Sequence, residues 1–160
     1  MSTILLEHLE RQLASARRLL QIVLAQGEAI RAQDVETVLA RLGDVQAEMV
    51  KRVQLERERD ALLAQAAGSL AMPAAEITLE ALMVMLPAAD AERARSLSAE
   101  LRGTLSEVSR VHAQNRILIR QELAFLDHLM RVLSGVPQAG YSPVGQSANA
   151  QPANLIDMRV

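Results

Sequence analysis

The chain has no cysteine and no tryptophan, and its 160 residues include one tyrosine and one phenylalanine. The absence of cysteine excludes disulfides, thiolate nucleophiles and cysteine-based zinc sites. Aromatic and β-branched residues favour strands, whereas this chain is rich in Leu, Ala, Glu, Gln and Arg, which favour helices. The composition therefore predicts an all-α protein.

Other absences bear on location and partners. No apolar run approaches the roughly 20 residues that a membrane-spanning helix needs. The amino terminus lacks the basic region and apolar core of a signal peptide, so we expect a cytoplasmic protein without membrane insertion. The formal net charge is −2, whereas binding to nucleic-acid phosphates needs a clustered positive surplus. We therefore expect no nucleic-acid partner.

The common motifs of catalytic, metal and nucleotide sites are also missing. The sequence has no GxSxG, no HExxH, no Glu-x-x-His pair of a di-iron bundle and no glycine-rich phosphate loop. The three histidines, His8, His112 and His128, lie far apart in the sequence. We therefore predict that the chain is not an enzyme and that it has no catalytic residue, metal site or cofactor.

The sequence does contain apolar residues that recur every three or four positions, which is the pattern of a helix with one buried face. The first row comprises Leu6, Leu9, Leu13, Ala16, Leu20, Val23, Gly27 and Ile30. The second row comprises Val35, Val38, Leu42, Val45 and Met49. Ser2 or Thr3 is expected to cap the first helix, which would begin at Ile4. Asp34 is expected to cap the second helix. The two rows predict an antiparallel helical hairpin.

Gly68, Met72 and Pro73 interrupt the helical pattern, and Thr78 then is expected to cap a short buried helix within residues 77–86. We expect Asp90 to cap a long helix that runs to about Ser134. Its apolar row is Leu101, Leu105, Val108, His112, Asn115, Ile119, Glu122, Leu126, Leu129 and Leu133. Residues 101–145 are thus predicted to organise the chain, with the hairpin packed against one long helix in an elongated, coiled-coil-like bundle.

Three members of this row, His112, Asn115 and Glu122, are polar. A buried polar group is costly unless it is paired, so these residues either specify helix register or leave the row open for a partner. For His112 we favour a hydrogen-bonded structural histidine over a pH-responsive or ligand-binding role. For Asn115 a register role and a role in partner recognition are equally supported.

The carboxy-terminal part of the chain differs in composition. Gly135 and Pro137 are expected to end the long helix, and the residues after Tyr141 are mostly small and polar. We predict a helical domain over residues 1–140 and a flexible, disordered tail over residues 141–160. Tyr141 either anchors a partner or packs back on the helix end, and the final LIDMRV either docks on the domain or has no such role.

Several of these features together resemble the FlgN family of flagellar type III export chaperones. They are the two amino-terminal heptad helices, the interruption, the long helix containing AQNRILIRQELAFLDHLMRVL, and the following YSPVG. The resemblance spans about residues 5–145. It implies a cytoplasmic chaperone that binds the carboxy-terminal helices of flagellar hook-associated proteins at the hook-filament junction, prevents their aggregation and escorts them to the export gate.

The resemblance also assigns residues. The family's asparagine falls on Asn115, and its tyrosine and glycine after the helix fall on Tyr141 and Gly145, the tyrosine being linked with docking to the export apparatus. Pro143, between them, departs from the family pattern. The predicted partner-binding residues are His112, Asn115, Ile119, Glu122, Leu126, Tyr141 and Gly145. The alternative is a structural, self-associating coiled-coil protein without an export client, and the sequence leaves open whether the chain is a monomer or a homodimer.

Overall fold

The computed structural model describes residues 2–134, which form helices and short connections. The elements are α1 (Ser2–Arg31), α2 (Val35–Leu70), one turn of 3₁₀ helix (Ala74–Glu76), α3 (Leu79–Val84) and α4 (Ala88–Leu133). The predicted all-α fold is confirmed. None of the helices in this range is both long enough and apolar enough to cross a lipid bilayer. The predicted helix stop at Gly135 and Pro137, the site residues Tyr141 and Gly145, and the predicted tail lie outside the described residues.

Helices α1 and α2 form the predicted antiparallel hairpin, but the predicted buried row of α2 is wrong in part: Val38 and Val45 are half-buried, whereas Val35, Leu42 and Met49 are exposed. Asp34 is the N-cap of α2, and its Oδ1 accepts a hydrogen bond of 3.0 Å from the backbone N–H of Thr37. Along the hairpin, Arg11 of α1 pairs with Glu58 of α2, whereas Arg18 pairs with Glu48. Later residues of α1 thus meet earlier residues of α2, which is the antiparallel arrangement.

Helix α4 runs parallel to α1. The hydroxyl of Ser2 donates a hydrogen bond to Asp90 at the start of both helices, and the side chain of Gln33 donates one to Glu122 near the other end. The chain can return in this parallel direction because α2 carries it back along the full length of α1.

Helix α1 is the shared element of the bundle. Both α2 and α4 pack against α1, whereas α2 and α4 have no interface of comparable extent. Fourteen residues of α1 are buried, against four residues of α4. The expectation that residues 101–145 organise the chain is therefore wrong, because α1 is covered from two sides and α4 from one.

One end of the bundle is closed by α3. The Oγ1 of Thr78 caps this helix by accepting a hydrogen bond of 3.2 Å from the backbone N–H of Ala81. Leu82 and Met83 are then buried, which confirms the predicted short buried helix, although Val84 faces solvent. We name this region the closed end; its buried residues are Leu5, Leu6, Leu9, Ala66, Ile77, Leu82, Met83, Ala91 and Ala94.

Two predicted helix starts differ from the structure. Helix α1 begins at Ser2 instead of Ile4, and the Ser2 hydroxyl bonds to Asp90 instead of capping its own helix. Helix α4 begins at Ala88, directly after Pro87, so Asp90 lies inside the first turn and is not the cap. Alanine is the strongest helix former, and proline is readily tolerated at a helix start, so the helix extends back to the proline.

Candidate partner-binding site at the end of helix α4

Helix α4 continues past the end of α1. Near the turn between α1 and α2, Gln33 Nε2 donates a hydrogen bond of 3.3 Å to Glu122 Oε2. Beyond Glu122, no other helix of residues 2–134 runs beside α4. We name residues 123–133 the overhang. At the usual helical rise it is about 16 Å, or three turns, long.

The overhang presents large apolar side chains to solvent. The exposed fractions are 60% for Leu123, 56% for Phe125, 53% for Leu126, 40% for Leu129, 64% for Met130, 62% for Val132 and 75% for Leu133. Contiguous exposed apolar surface of this kind marks an interaction site more often than ordinary protein surface. This end of α4 is therefore the candidate site.

The overhang extends the row of residues through which α4 contacts α1. The row runs through Asn115, Ile119, Glu122, Leu126, Leu129 and Leu133, with alternating spacings of four and three. Asn115 is buried, Ile119 and Glu122 are half-buried, and the last three are exposed. The same helical face thus passes from covered to uncovered where α1 ends.

His112 does not lie on the buried row. It is exposed, whereas its neighbour Val111 is 4% exposed and packs with Leu19 and Val23 of α1. The step of seven residues from Val108 to Asn115 can be divided at position 111 or at position 112. The apolar side chain takes the inner position because its burial is favourable, so the preference for His112 as a hydrogen-bonded structural residue of this row is wrong.

Asn115 lies in the contact between α1 and α4. It is 2% exposed, and its Nδ2 donates hydrogen bonds to the backbone oxygen of Val23, at 2.7 Å, and to Oε1 of Gln26, at 3.4 Å. A Cβ at Gly27 would lie 2.6 Å from the Asn115 Oδ1, so glycine is needed for this approach. Asn115 thereby joins the two helices at one register, which is the register role considered from the sequence.

Charge contributes little at the overhang. Asp127 and Arg131 form an ion pair of 2.7 Å one helical turn apart, and both are mostly exposed. Such a pair stabilises a helix by only a few tenths of a kcal/mol. A partner of the overhang must therefore gain most of its binding free energy from burial of apolar surface.

Other buried ionisable groups hold the hairpin together. Glu48 is 3% exposed and accepts hydrogen bonds from the Ser15 hydroxyl, at 2.6 Å, and from Arg18. Burial would raise the pKa of Glu48, but the hydrogen bonds from Ser15 and Arg18 outweigh burial and lower it.

Within residues 2–134 no group of three or more His, Asp or Glu side chains could hold a metal ion.

Of the exposed apolar residues of the overhang, the set of partner-binding residues predicted from the sequence includes only Leu126. It does not include Leu123, Phe125, Leu129, Met130, Val132 or Leu133. A usable signal was present in the lengths of the two rows. The row of α1 ends at Ile30, whereas the row of α4 ends at Leu133 and is longer. Once the two helices are aligned in parallel, the excess length of α4 has no partner in the hairpin.

Comparison with known proteins gives an independent assignment. A family model described as FlgN protein matches residues 1–149. Neither the comparison with curated proteins nor the comparison with solved structures gave a match. Because the family model covers most of the chain, including all four helices, this protein belongs to the FlgN family of flagellar export chaperones.

Proposed function

We propose that this chain is a cytoplasmic chaperone that binds the carboxy-terminal helices of flagellar hook-associated proteins and escorts them to the type III export gate. The observation that carries the proposal is the overhang, where the row of α4 that packs on α1 continues uncovered for about three turns. Membership of the FlgN family supports a chaperone of flagellar export.

The contact between α1 and α4 provides a template for client binding. Up to Glu122, α1 covers the apolar row of α4. A client helix would cover the next three turns of the same row, through Leu126, Leu129 and Leu133. This is the helix-in-groove mode, in which a partner helix places its own apolar residues at spacings of three and four against such a surface.

The expected affinity is moderate. Full burial of a Val, Leu, Phe or Met side chain contributes about 1.5–3 kcal/mol, and the side chains of the overhang are already partly covered. Part of the gain is lost in ordering the client helix, which costs about 2–5 kcal/mol. A dissociation constant in roughly the micromolar range follows. Binding of this strength protects the apolar face of the client from aggregation and permits its release at the export gate.

The predicted site residues take different parts in this proposal. Leu126 contacts the client directly, and Ile119 and Glu122 border the place where α1 ends. Asn115 acts indirectly, by holding α4 at one register on α1. His112, exposed on α4, would be reached by a client that extends back along the helix. Tyr141 and Gly145 are proposed to dock on the export apparatus, as the family resemblance implies.

The proposal can be tested with a double variant in the overhang. Leu126→Glu with Leu129→Glu places two charges on the client face, and the matched control is Ile117→Glu, which changes a similarly exposed residue of α4 outside the row. Binding of a carboxy-terminal fragment of a hook-associated protein is measured by calorimetry. We expect the double variant to bind at least roughly 100-fold more weakly, with the control within about twofold of wild type.

Two results would contradict the proposal. One is unchanged client binding by a folded double variant, as judged by circular dichroism and melting temperature. The other is the absence of binding by the wild-type chain, together with self-association that the double variant abolishes. The second result would favour the alternative of a structural coiled-coil protein without a client.

A further inference from the structure

Glu122 is the one ionisable member of the α4 row where the overhang begins. The members beyond it, Leu126, Leu129 and Leu133, are apolar. Glu122 is half-buried, and its Oε2 accepts a hydrogen bond of 3.3 Å from the side chain of Gln33. The donor is a neutral amide, and a carboxylate can accept about four hydrogen bonds. Glu122 therefore keeps its charge and most of its capacity to accept hydrogen bonds.

A helix bound on the overhang has one of its ends beside Glu122. Helix α1 covers the row of α4 up to Glu122 and ends at Arg31, so a client helix on the overhang continues the line of α1. The two ends of a helix differ chemically. The amino-terminal end has backbone N–H groups without a partner inside the helix, and the carboxy-terminal end has C=O groups without one.

We propose that Glu122 caps the amino-terminal end of the client helix, so that the client lies parallel to α4. This inference rests on the proposed function and adds the direction of the client helix to it. A carboxylate accepts hydrogen bonds from the N–H groups of a helix amino terminus and is attracted by the partial positive charge there. In the opposite direction, the half-buried carboxylate would face the carbonyl oxygens of the client.

The carboxy-terminal end of α1 favours the same direction. The last carbonyl groups of a helix carry about half an elementary negative charge, and those of α1 point along its axis toward the end of the client. They therefore attract an amino terminus. The basic side chain of this last turn, Arg31, is directed away from the client, because its Nη1 lies 3.5 Å from the position of a Cβ at Gly27, one turn earlier.

The remaining helix ends alter this preference little. Helix α4 ends at the tip of the overhang, beside the client and not in line with it, and Arg131 in its last turn offsets the negative end. The positive amino-terminal end of α2 lies near Glu122, but it is offset by its N-cap, Asp34, and by Glu36 in its first turn. Glu122 and the end of α1 thus decide the direction.

The contact between α1 and α4 indicates that this row can receive a parallel helix. The two helices are joined near both ends, by Ser2 with Asp90 and by Gln33 with Glu122, and run in the same direction. The overhang continues the row at the same spacing, so a parallel client can pack on it in the same way. Apolar burial then supplies most of the affinity, and Glu122 supplies the selectivity for direction.

Disulfide cross-linking tests the direction, because the chain has no cysteine of its own. Leu123→Cys and Leu133→Cys place thiols at exposed positions about 15 Å apart along the overhang. The probe is the carboxy-terminal helix of a hook-associated protein with one cysteine, either in its first turn or three turns later. We expect the first-turn cysteine to react about fivefold faster with Leu123→Cys, and the later cysteine about fivefold faster with Leu133→Cys.

Glu122→Gln tests the cap, because it removes the charge and keeps an oxygen that can accept the hydrogen bond from Gln33. The matched control is Glu107→Gln, which removes a carboxylate paired with Arg110 on α4, outside the overhang. By calorimetry, Glu122→Gln should bind the same client helix about threefold to tenfold more weakly, and the control within about twofold of wild type.

A charge placed on the client separates capping from a purely structural role of Glu122. A lysine in the first turn of the client should tighten binding to the wild-type chain, because it lies beside the carboxylate. The same lysine should not tighten binding to Glu122→Gln.

Two results would overturn the proposal while the client still binds. One is cross-linking in the reverse pattern or at equal rates at both positions, and the other is a folded Glu122→Gln variant that binds like wild type. Either result would leave the overhang as the client site and change only the direction. The absence of client binding by the wild-type chain would instead contradict the proposed function, and this inference with it.

Discussion

The two ends of the bundle have similar apolar spacing and differ in what covers it. At the closed end, Leu82 and Met83 of α3 close the core, and the clustered residues are at most 9% exposed. At the overhang, leucines of comparable spacing are 40% to 75% exposed. The pattern of the sequence alone therefore does not determine whether such a row is core or binding surface.

The difference arises from helix length. Helix α1 has 30 residues and α4 has 46, and the hydrogen bond from Ser2 to Asp90 joins their first turns. The excess of α4 falls entirely at one end. Under the proposed function, stability depends on the closed end and client binding on the overhang, so a client could bind or leave without unfolding the bundle.

The largest expected effect is the difference in stability between a leucine-to-alanine substitution at the closed end and one in the overhang. Leu82→Ala should lower the free energy of unfolding by about 2–4 kcal/mol, because a buried side chain is removed and a cavity remains. Leu126→Ala should change it by less than about 0.5 kcal/mol, since the side chain is already exposed. Urea denaturation followed by circular dichroism measures both. Equal losses would mean that the overhang is covered in solution.

A smaller effect on stability is expected between the two ends of the bundle, where Asn115 holds α4 on α1. Gly27→Ala should destabilise the chain by about 1–2 kcal/mol, because overpacking against Asn115 outweighs the better helix propensity of alanine. Gly103→Ala, where a Cβ would meet nothing within 4 Å, is the control and should be neutral or stabilising. In the background Asn115→Ala, the cost of Gly27→Ala should largely disappear. Additive effects would show that the two residues do not contact.

The smallest of the three effects concerns the protonation of His8, near the closed end. His8 is 6% exposed, and burial lowers its pKa below 6.5; the nearby Glu58 opposes this change and Arg11 reinforces it. The unfolded chain therefore binds more protons near pH 6, and stability should fall as the pH falls through 6.5. The Glu48 carboxylate, with a lowered pKa, adds a separate loss below pH 4.5.

Replacement of this histidine isolates its contribution. His8→Gln should flatten the dependence of the melting temperature on pH between about 7.5 and about 5.5, the range in which a histidine titrates. It should leave in place the loss below pH 4.5, to which Glu48 and other carboxyl groups with a lowered pKa contribute. An unchanged profile between the two pH values in His8→Gln would show that His8 is not responsible.

Much of the fold could be predicted from the sequence because local signals and tertiary structure agree. Asp34 and Thr78 cap the helices that their positions predicted, and the spacing of three and four identified the long helices. The choice between Val111 and His112 could not be made from spacing, since both complete the row. It depends on which side chain gains more from burial against α1.

The candidate site was harder to predict because the exposure of residues in one helix depends on where the neighbouring helix ends. Leu126 and Leu129 have the same spacing as buried residues, and they are uncovered because α1 ends at Arg31. The central place of α1 was missed for a similar reason. A single row of apolar residues was identified in that helix, whereas the structure covers it from two sides.

Hydrogen exchange of the full chain, alone and with the carboxy-terminal helix of a hook-associated protein, tests the central claim most directly. In the free protein the amides of residues 123–133 should exchange rapidly, and those at the closed end slowly. With the client bound, protection should rise at residues 123–133 and remain unchanged at the closed end. Protection that appears elsewhere, with residues 123–133 still exchanging rapidly, would contradict the assignment of the overhang as the client site.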